Sequence, residues 1–124
     1  MSLVYETACE QLTYPMTELL LVMTSLPDIE VAKALARRLI DVNLAACVQL
    51  QPGVQSIYQW EGRICEEQEV VLLAKTTAGR WTAISDYIKQ NHPYDVPEII
   101  AQPITHSDPD YAQWVIAETR VAPN

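Results

Sequence analysis

Few side chains in this sequence can do chemistry, so they can be taken singly. There are two histidines, His92 and His106, and three cysteines, Cys9, Cys47 and Cys65. His92 stands beside Pro93 and Tyr94, with Glu98 six positions on, at what reads as the end of a helix. A lone histidine there is either a metal ligand or a group that hydrogen-bonds across a turn. The carboxylates Glu66, Glu67 and Glu69 form a second candidate. On a strand, 67 and 69 face one way and 66 the other, so two same-side carboxylates are placed to hold a hard cation loosely or to form a solvated edge. No two cysteines have the close spacing of a redox or zinc pair, and free thiols acting as small hydrophobes are the simplest reading. His106 stands alone after Thr105, where a surface or capping role is expected. Enzyme signatures such as GxSxG, HExxH and a P-loop are missing. Three glycines, Gly53, Gly62 and Gly79, are too few for a glycine-rich phosphate cradle, so no enzymatic activity is expected.

The totals narrow the class further. A chain of 124 residues with 49% hydrophobic residues is long enough for one domain with its own core. Its formal net charge of −8 repels phosphate backbones and anionic membranes, so neither nucleic acid nor membrane is an expected partner, while cations are compatible. The N-terminus lacks a basic region followed by an apolar one, and no apolar run approaches the roughly 18 residues of a membrane span. With odd, unpaired cysteines, the expected location is the cytoplasm.

The elements that must position these groups follow from periodicity. Ala45 to Thr77 reads as two long strands meeting at Glu61-Gly62, a two-residue hairpin turn. Both arms exceed ten residues, against about five or six for an ordinary strand. Such a hairpin projects beyond a compact monomer and is expected to be covered by another copy. Pro52-Gly53 interrupts the first arm and predicts a bulge or bend. Before the hairpin, residues 1–17 read as an extension, Glu18 to Thr24 as a buried strand, and Ser25 to Asp28 as a capping-box start with Pro27 in the first helical turn. Ile29, Ala32, Leu35, Ala36, Leu39 and Ile40 then mark one face of a helix of about 14 residues. After the hairpin, Thr77 is expected to cap a helix from Ala78 to Asn91, with Trp81, Ile84 and Ile88 on its apolar face and His92-Pro93 as its stop. Glu98 to Ile104 reads as a fourth strand that ends, or lies at an edge, at Pro103. Ser107 to Asp110 starts a last helix carrying Tyr111, Trp114 and Val115 on one face. The order β-α-β-β-α-β with a C-terminal helix predicts an α+β, ferredoxin-like sandwich over residues 18–120, with two helices on one face of an antiparallel sheet. The other face also reads as apolar, judging by Val70 to Ala74, which implies assembly.

Four blocks in order carry a resemblance: LAACVQLQPGVQSIYQWEGRI, VLLAKTT, HPYDVPEII and PITHSDPDYAQWV. Together they resemble the CutA family of divalent-cation tolerance proteins, from about Leu19 to Trp114. The resemblance implies a homotrimer built through the long hairpins, a likeness in fold to the PII signalling proteins, and an association with copper and other divalent cations. It implies copper ligation at His92. At the family's other ligand positions this chain has Asn91 in place of a second histidine and Met23 in place of a cysteine. Met23 retains a thioether suited to Cu(I). The resemblance also groups Tyr58, Trp60, Lys75, Tyr94 and Glu98 near a cleft between subunits. The cleft would suit a small effector, or these residues would form an interface core with Lys75 paired to a carboxylate. The expected function is therefore a homotrimeric copper-binding protein of metal tolerance without an organic cofactor. The alternative is a PII-like signalling or scaffolding trimer with a small effector in its clefts.

Overall fold

Leu20, Val22, Thr24 and Leu26 alternate with Leu19, Leu21, Met23 and Ser25, and this period of two puts the first set on one face of a strand. The structure is a computed structural model, and it describes residues 16–121. The expected extension, residues 1–17, lies outside the described residues except for Met16 and Thr17. The first strand, β1, spans Leu19–Leu26. It is followed by helix α1 (Ile29–Asp41), strands β2 (Cys47–Trp60) and β3 (Arg63–Thr77), a 3-10 turn (Ala78–Arg80), helix α2 (Trp81–Gln90), strand β4 (Ile100–Ile104) and helix α3 (Pro109–Glu118). The sheet order is β2-β3-β1-β4, with every neighbouring pair antiparallel. This is the ferredoxin-like arrangement expected.

One face of the sheet carries the core. Leu20, Val22, Leu26, Val70, Leu72 and Ala74 meet Ala32, Leu35 and Leu39 of α1 and Ile84 and Ile88 of α2. Ile40, expected on the apolar face of α1, is instead exposed. Helix α3 lies against the opposite face, where it meets β3 and β1. Its Tyr111 ring lies 5.8 Å from Lys75 Nζ, and Val115 is fully buried there.

Three local expectations are corrected. Ser25 does not start α1, because β1 pairs with β3 through Leu26↔Val70 and Leu26 is fully buried. The cap is Asp28, whose carboxylate accepts from the Val31 amide at 2.9 Å, and Pro27 precedes the helix. Thr77 makes no side-chain cap. It is held at the end of β3 opposite Leu19, and the Ala78 and Gly79 amides donate instead to the carbonyls of Glu18 (2.7 Å) and Met16 (3.0 Å). Pairing of β4 starts at Ile100 rather than Glu98, whose carboxylate is turned to Ser25. Pro103 does lie on an edge strand, and Asp108 caps α3 by accepting from the Tyr111 amide at 3.1 Å.

The hairpin turn forms as read. Glu61 (φ 50) and Gly62 (φ 78) are both left-handed, the geometry of a two-residue turn that follows the twist of the strands. At Pro52-Gly53 the register shifts: Gln51 pairs with Val71 and Val54 with Glu69, so two residues of β2 face Val70 alone. Gly53 takes the left-handed conformation that the bulge needs (φ 75). The bulge also reverses parity. Beyond it Val54, Ser56, Tyr58 and Trp60 lie on the face of Cys65, Glu67 and Glu69, away from the core side. From Arg63 to Glu69, β3 has β2 as its only partner among the described residues, so the outer half of the hairpin is there a two-stranded ribbon.

Candidate functional site

Where the ribbon leaves the body of the sheet, the segment after α2 folds over the end of β1. Two prolines, Pro93 and Pro97, bracket this stretch, which bends from Pro93 to Val96. Between it and the ribbon lies an open groove of about 870 Å³ on the face opposite the core. The groove is within the size range of small-ligand sites. Tyr58, Trp60, Tyr94 and Glu98 all line it, as do Met23, Cys65, Val71, Glu67 and Glu69. Four of the five residues grouped by the sequence therefore meet in one chain.

Lys75 is the exception. It sits six positions along β3 from Glu69, roughly 20 Å at strand rise, where its ammonium donates to Gln49 Oε1 at 2.9 Å and lies near Tyr111. Within a chain its contact is thus an amide and a ring rather than a carboxylate.

The groove carries charge of one sign. Its ionised lining consists of Glu67, Glu69, Asp95 and Glu98, with no lysine, arginine or histidine among the described lining residues. Glu69 is 8% exposed and accepts from the Tyr94 hydroxyl at 2.7 Å. Burial raises the Tyr94 phenol above its ordinary value, and the bond to Glu69 and that carboxylate's charge raise it further. Tyr58 is pushed up to about 12, first by its hydrogen bond to Glu67, then by lost solvation and the same carboxylate's charge. Ser25 Oγ donates to Glu98 Oε2 at 3.2 Å. As read from the period of two, Glu66 turns to the other side of the ribbon, opposite Ile57.

His92 anchors the groove's wall instead of opening into it. Its Nδ1 accepts from the Tyr94 amide at 3.2 Å, so the ring proton is on Nε2. That nitrogen donates to the Ser25 carbonyl at 2.9 Å, with Thr24 Oγ1 at 3.0 Å. Burial lowers the His92 pKa, opposed by the Ser25 carbonyl and the charge of Glu69. Both ring nitrogens are committed to the protein. Asn91 is committed too: its Oδ1 accepts from Arg38 at 3.3 Å and its amide donates to the Tyr87 carbonyl at 2.9 Å. Met23 lies on the groove face, whereas His92 is bonded to Thr24 on the core face. These three residues do not fit a copper centre, because a metal at Nδ1 would displace the Tyr94 amide and the other two side chains are directed elsewhere. Among the described residues no three His, Cys, Asp or Glu side chains are grouped to hold a metal ion.

Of the cysteines, Cys47 lies opposite Lys75 and Cys65 opposite Tyr58; both are half-buried and free, and Cys9 lies outside the described residues. His106 Nδ1 shares a hydrogen bond with Thr105 Oγ1 at 2.9 Å. Sequence reasoning missed Asp95, Thr24 and the Ser25 hydroxyl. The proline bracket around 93–97 was the available signal for Asp95; the two hydroxyls carry none, since they matter only through the fold.

Fold and site together define a class: a ferredoxin-like α+β domain with a protruding ribbon and an acidic, aromatic-walled groove at its base. The sequence matches the family model described as CutA1 divalent ion tolerance protein over residues 20–118. It is 42% identical over 98 residues to the divalent-cation tolerance protein CutA of Thermus thermophilus, covering 79% of this chain and 95% of that protein. The solved structure of CutA1 from Oryza sativa superposes with a TM-score of 0.81 at 38% identity, covering 86% of this chain and 99% of the other. A structure titled as the periplasmic divalent cation tolerance protein CutA from Archaeoglobus fulgidus gives 0.80 at 29% identity, covering 82% and 99%. The chain belongs to the CutA1 divalent ion tolerance family.

Proposed function

We propose that this chain serves divalent-cation tolerance by binding rather than by catalysis, as a homotrimer held through the outer half of its hairpin, with the acidic groove as its cation-facing surface. The observation that carries this reading is the groove's charge: four carboxylates and no cationic side chain among the described lining residues. Since no metal-binding group of three is assembled within the described part of one chain, carboxylates from a second copy complete the coordination. The donors are oxygens, which suit hard and borderline ions better than Cu(I). Copper, the ion the family resemblance implies, is then taken as Cu(II). A second reading, a small organic effector in a PII-like cleft, is favoured by the aromatic walls formed by Tyr58, Trp60 and Tyr94. The cytoplasmic placement rests on the free half-buried thiols of Cys47 and Cys65, and cell fractionation tests it against the periplasmic description of the Archaeoglobus relative.

Calorimetric titration of the metal-stripped protein with Cu(II) tests the groove. Saturable binding that weakens on Glu67→Gln and is unmoved by His92→Ala is expected. Binding abolished by His92→Ala and indifferent to Glu67→Gln would return the site to the histidine.

A further inference from the structure

Glu69 is the one charged side chain in the buried class among the described residues, and the only hydrogen-bond donor it meets there is the neutral Tyr94 hydroxyl. A carboxylate taken out of water in that state lacks the opposite charge that normally accompanies burial. The groove it faces supplies more negative charge and no positive charge among the described lining residues. This much asks for a cation. The arrangement also limits what kind of cation fits.

The carboxylates sit at different places: Glu69 is held by Tyr94, Glu98 by Ser25, and Glu67 lines the groove two residues along β3 from Glu69. A bare metal ion wants several oxygens converging on one point, which takes carboxylates of a second copy here. Charges spread along a trough suit a ligand whose own charges are spread. Glu67 and Glu69 are two residues apart on one strand, roughly 7 Å, comparable to the separation of the two nitrogens in a short aliphatic diamine. Between the carboxylates the wall is apolar or aromatic, with Met23, Val71, Tyr58 and Trp60. Methylene groups lie favourably against such a surface, and ring faces attract an ammonium group.

We propose that the groove binds an aliphatic diammonium cation. One ammonium group is held at Glu69 and the other at Glu67, with the alkyl chain along the aromatic wall. The inference rests on the groove being the cation-facing surface, as proposed above, and adds an organic class of ligand to it.

The test is calorimetry on the full-length, metal-stripped protein with putrescine as probe, beside butylamine and the uncharged diol of the same length. Putrescine is expected to bind saturably, butylamine about tenfold more weakly, and the diol not at all. Glu67 is exposed, so Glu67→Gln should fold normally and weaken putrescine about tenfold. Glu66→Gln, on the opposite face of the ribbon, should leave it unchanged. Equal weakening by both substitutions would overturn the inference, because it would mean only attraction to an acidic surface. Absence of putrescine binding alongside Glu67-dependent Cu(II) binding would overturn the diamine and leave the metal reading standing. Loss of both ligands would overturn both.

Discussion

Along β3, Val70 to Thr77 and Arg63 to Glu69 belong to one strand but stand in different surroundings. The first set is flanked by β2 and β1 and packed under α1 and α2, with Val70, Leu72, Ala74 and Thr76 buried. The second set has β2 alone beside it among the described residues. Here the large apolar residues face outward: Ile64 is 79% exposed, Ile57 67% and Trp60 46%. A two-stranded ribbon is marginal by itself in water. Among the described residues, half of the hairpin is stabilised by its own chain, while the other half leaves large apolar side chains uncovered.

The sharpest contrast comes from equivalent deletions in the two halves. Leu72→Ala opens a cavity in the covered half and should cost about 3 kcal/mol in denaturant unfolding. In a chain measured as a monomer, Ile64→Ala in the outer half should change stability by less than about 0.5 kcal/mol. A larger loss at concentrations where copies associate would report the cover that another copy provides. If the two substitutions cost the same in the monomer, the comparison breaks.

A smaller effect is expected at the turn. Gly62→Val forces a β-branched residue into the left-handed region, at about 1–2 kcal/mol. Because the turn lies at the far end of the ribbon, hydrogen exchange should speed up in Val54–Glu69 and stay slow in Val70–Thr77.

The smallest effect is a pH dependence where the groove's wall meets the body. Burial depresses the His92 pKa in the folded state, so protons bind preferentially to the unfolded chain. The contribution of neutral His92 is fully present above its ordinary value of 6.5 and is lost as pH falls through the depressed folded value. Protonation would also turn Nδ1 into a donor facing the Tyr94 amide. The stability gap between the native sequence and His92→Gln should therefore narrow as pH drops below 6.5, as followed by thermal melts in a pH series. A gap that widens in acid would contradict the assigned tautomer.

Much of the fold was legible because periodicity and turn chemistry agreed. The hairpin turn, the interruption at Pro52-Gly53 and the order of elements follow from residue types at fixed offsets, and strand pairing decides for a bulge there and for an edge strand at Pro103. The misplaced starts of α1 and β4 were decided by strand pairing, which depends on residues far away in sequence: Leu26 continues β1 because Val70 lies opposite. The site was half legible. Tyr58, Trp60, Tyr94 and Glu98 could be grouped by family resemblance, whereas their common face depends on the parity change at Gly53. The bond from the Tyr94 amide to His92 is the one across a turn that the sequence left open beside metal ligation, whereas Thr24 and Ser25 could not be read as its partners, because they are distant in sequence and meet it only when the segment after α2 crosses the end of β1.

The outer ribbon is proposed to be an interface between copies of the chain. Sizing chromatography with light scattering at low micromolar concentration tests it, on the native sequence and on the Trp60→Ser, Ile64→Ser double variant. A mass three times the 14.0 kDa of one chain is expected for the native protein, with a shift toward the single-chain mass for the variant. A native protein eluting at the single-chain mass would contradict it.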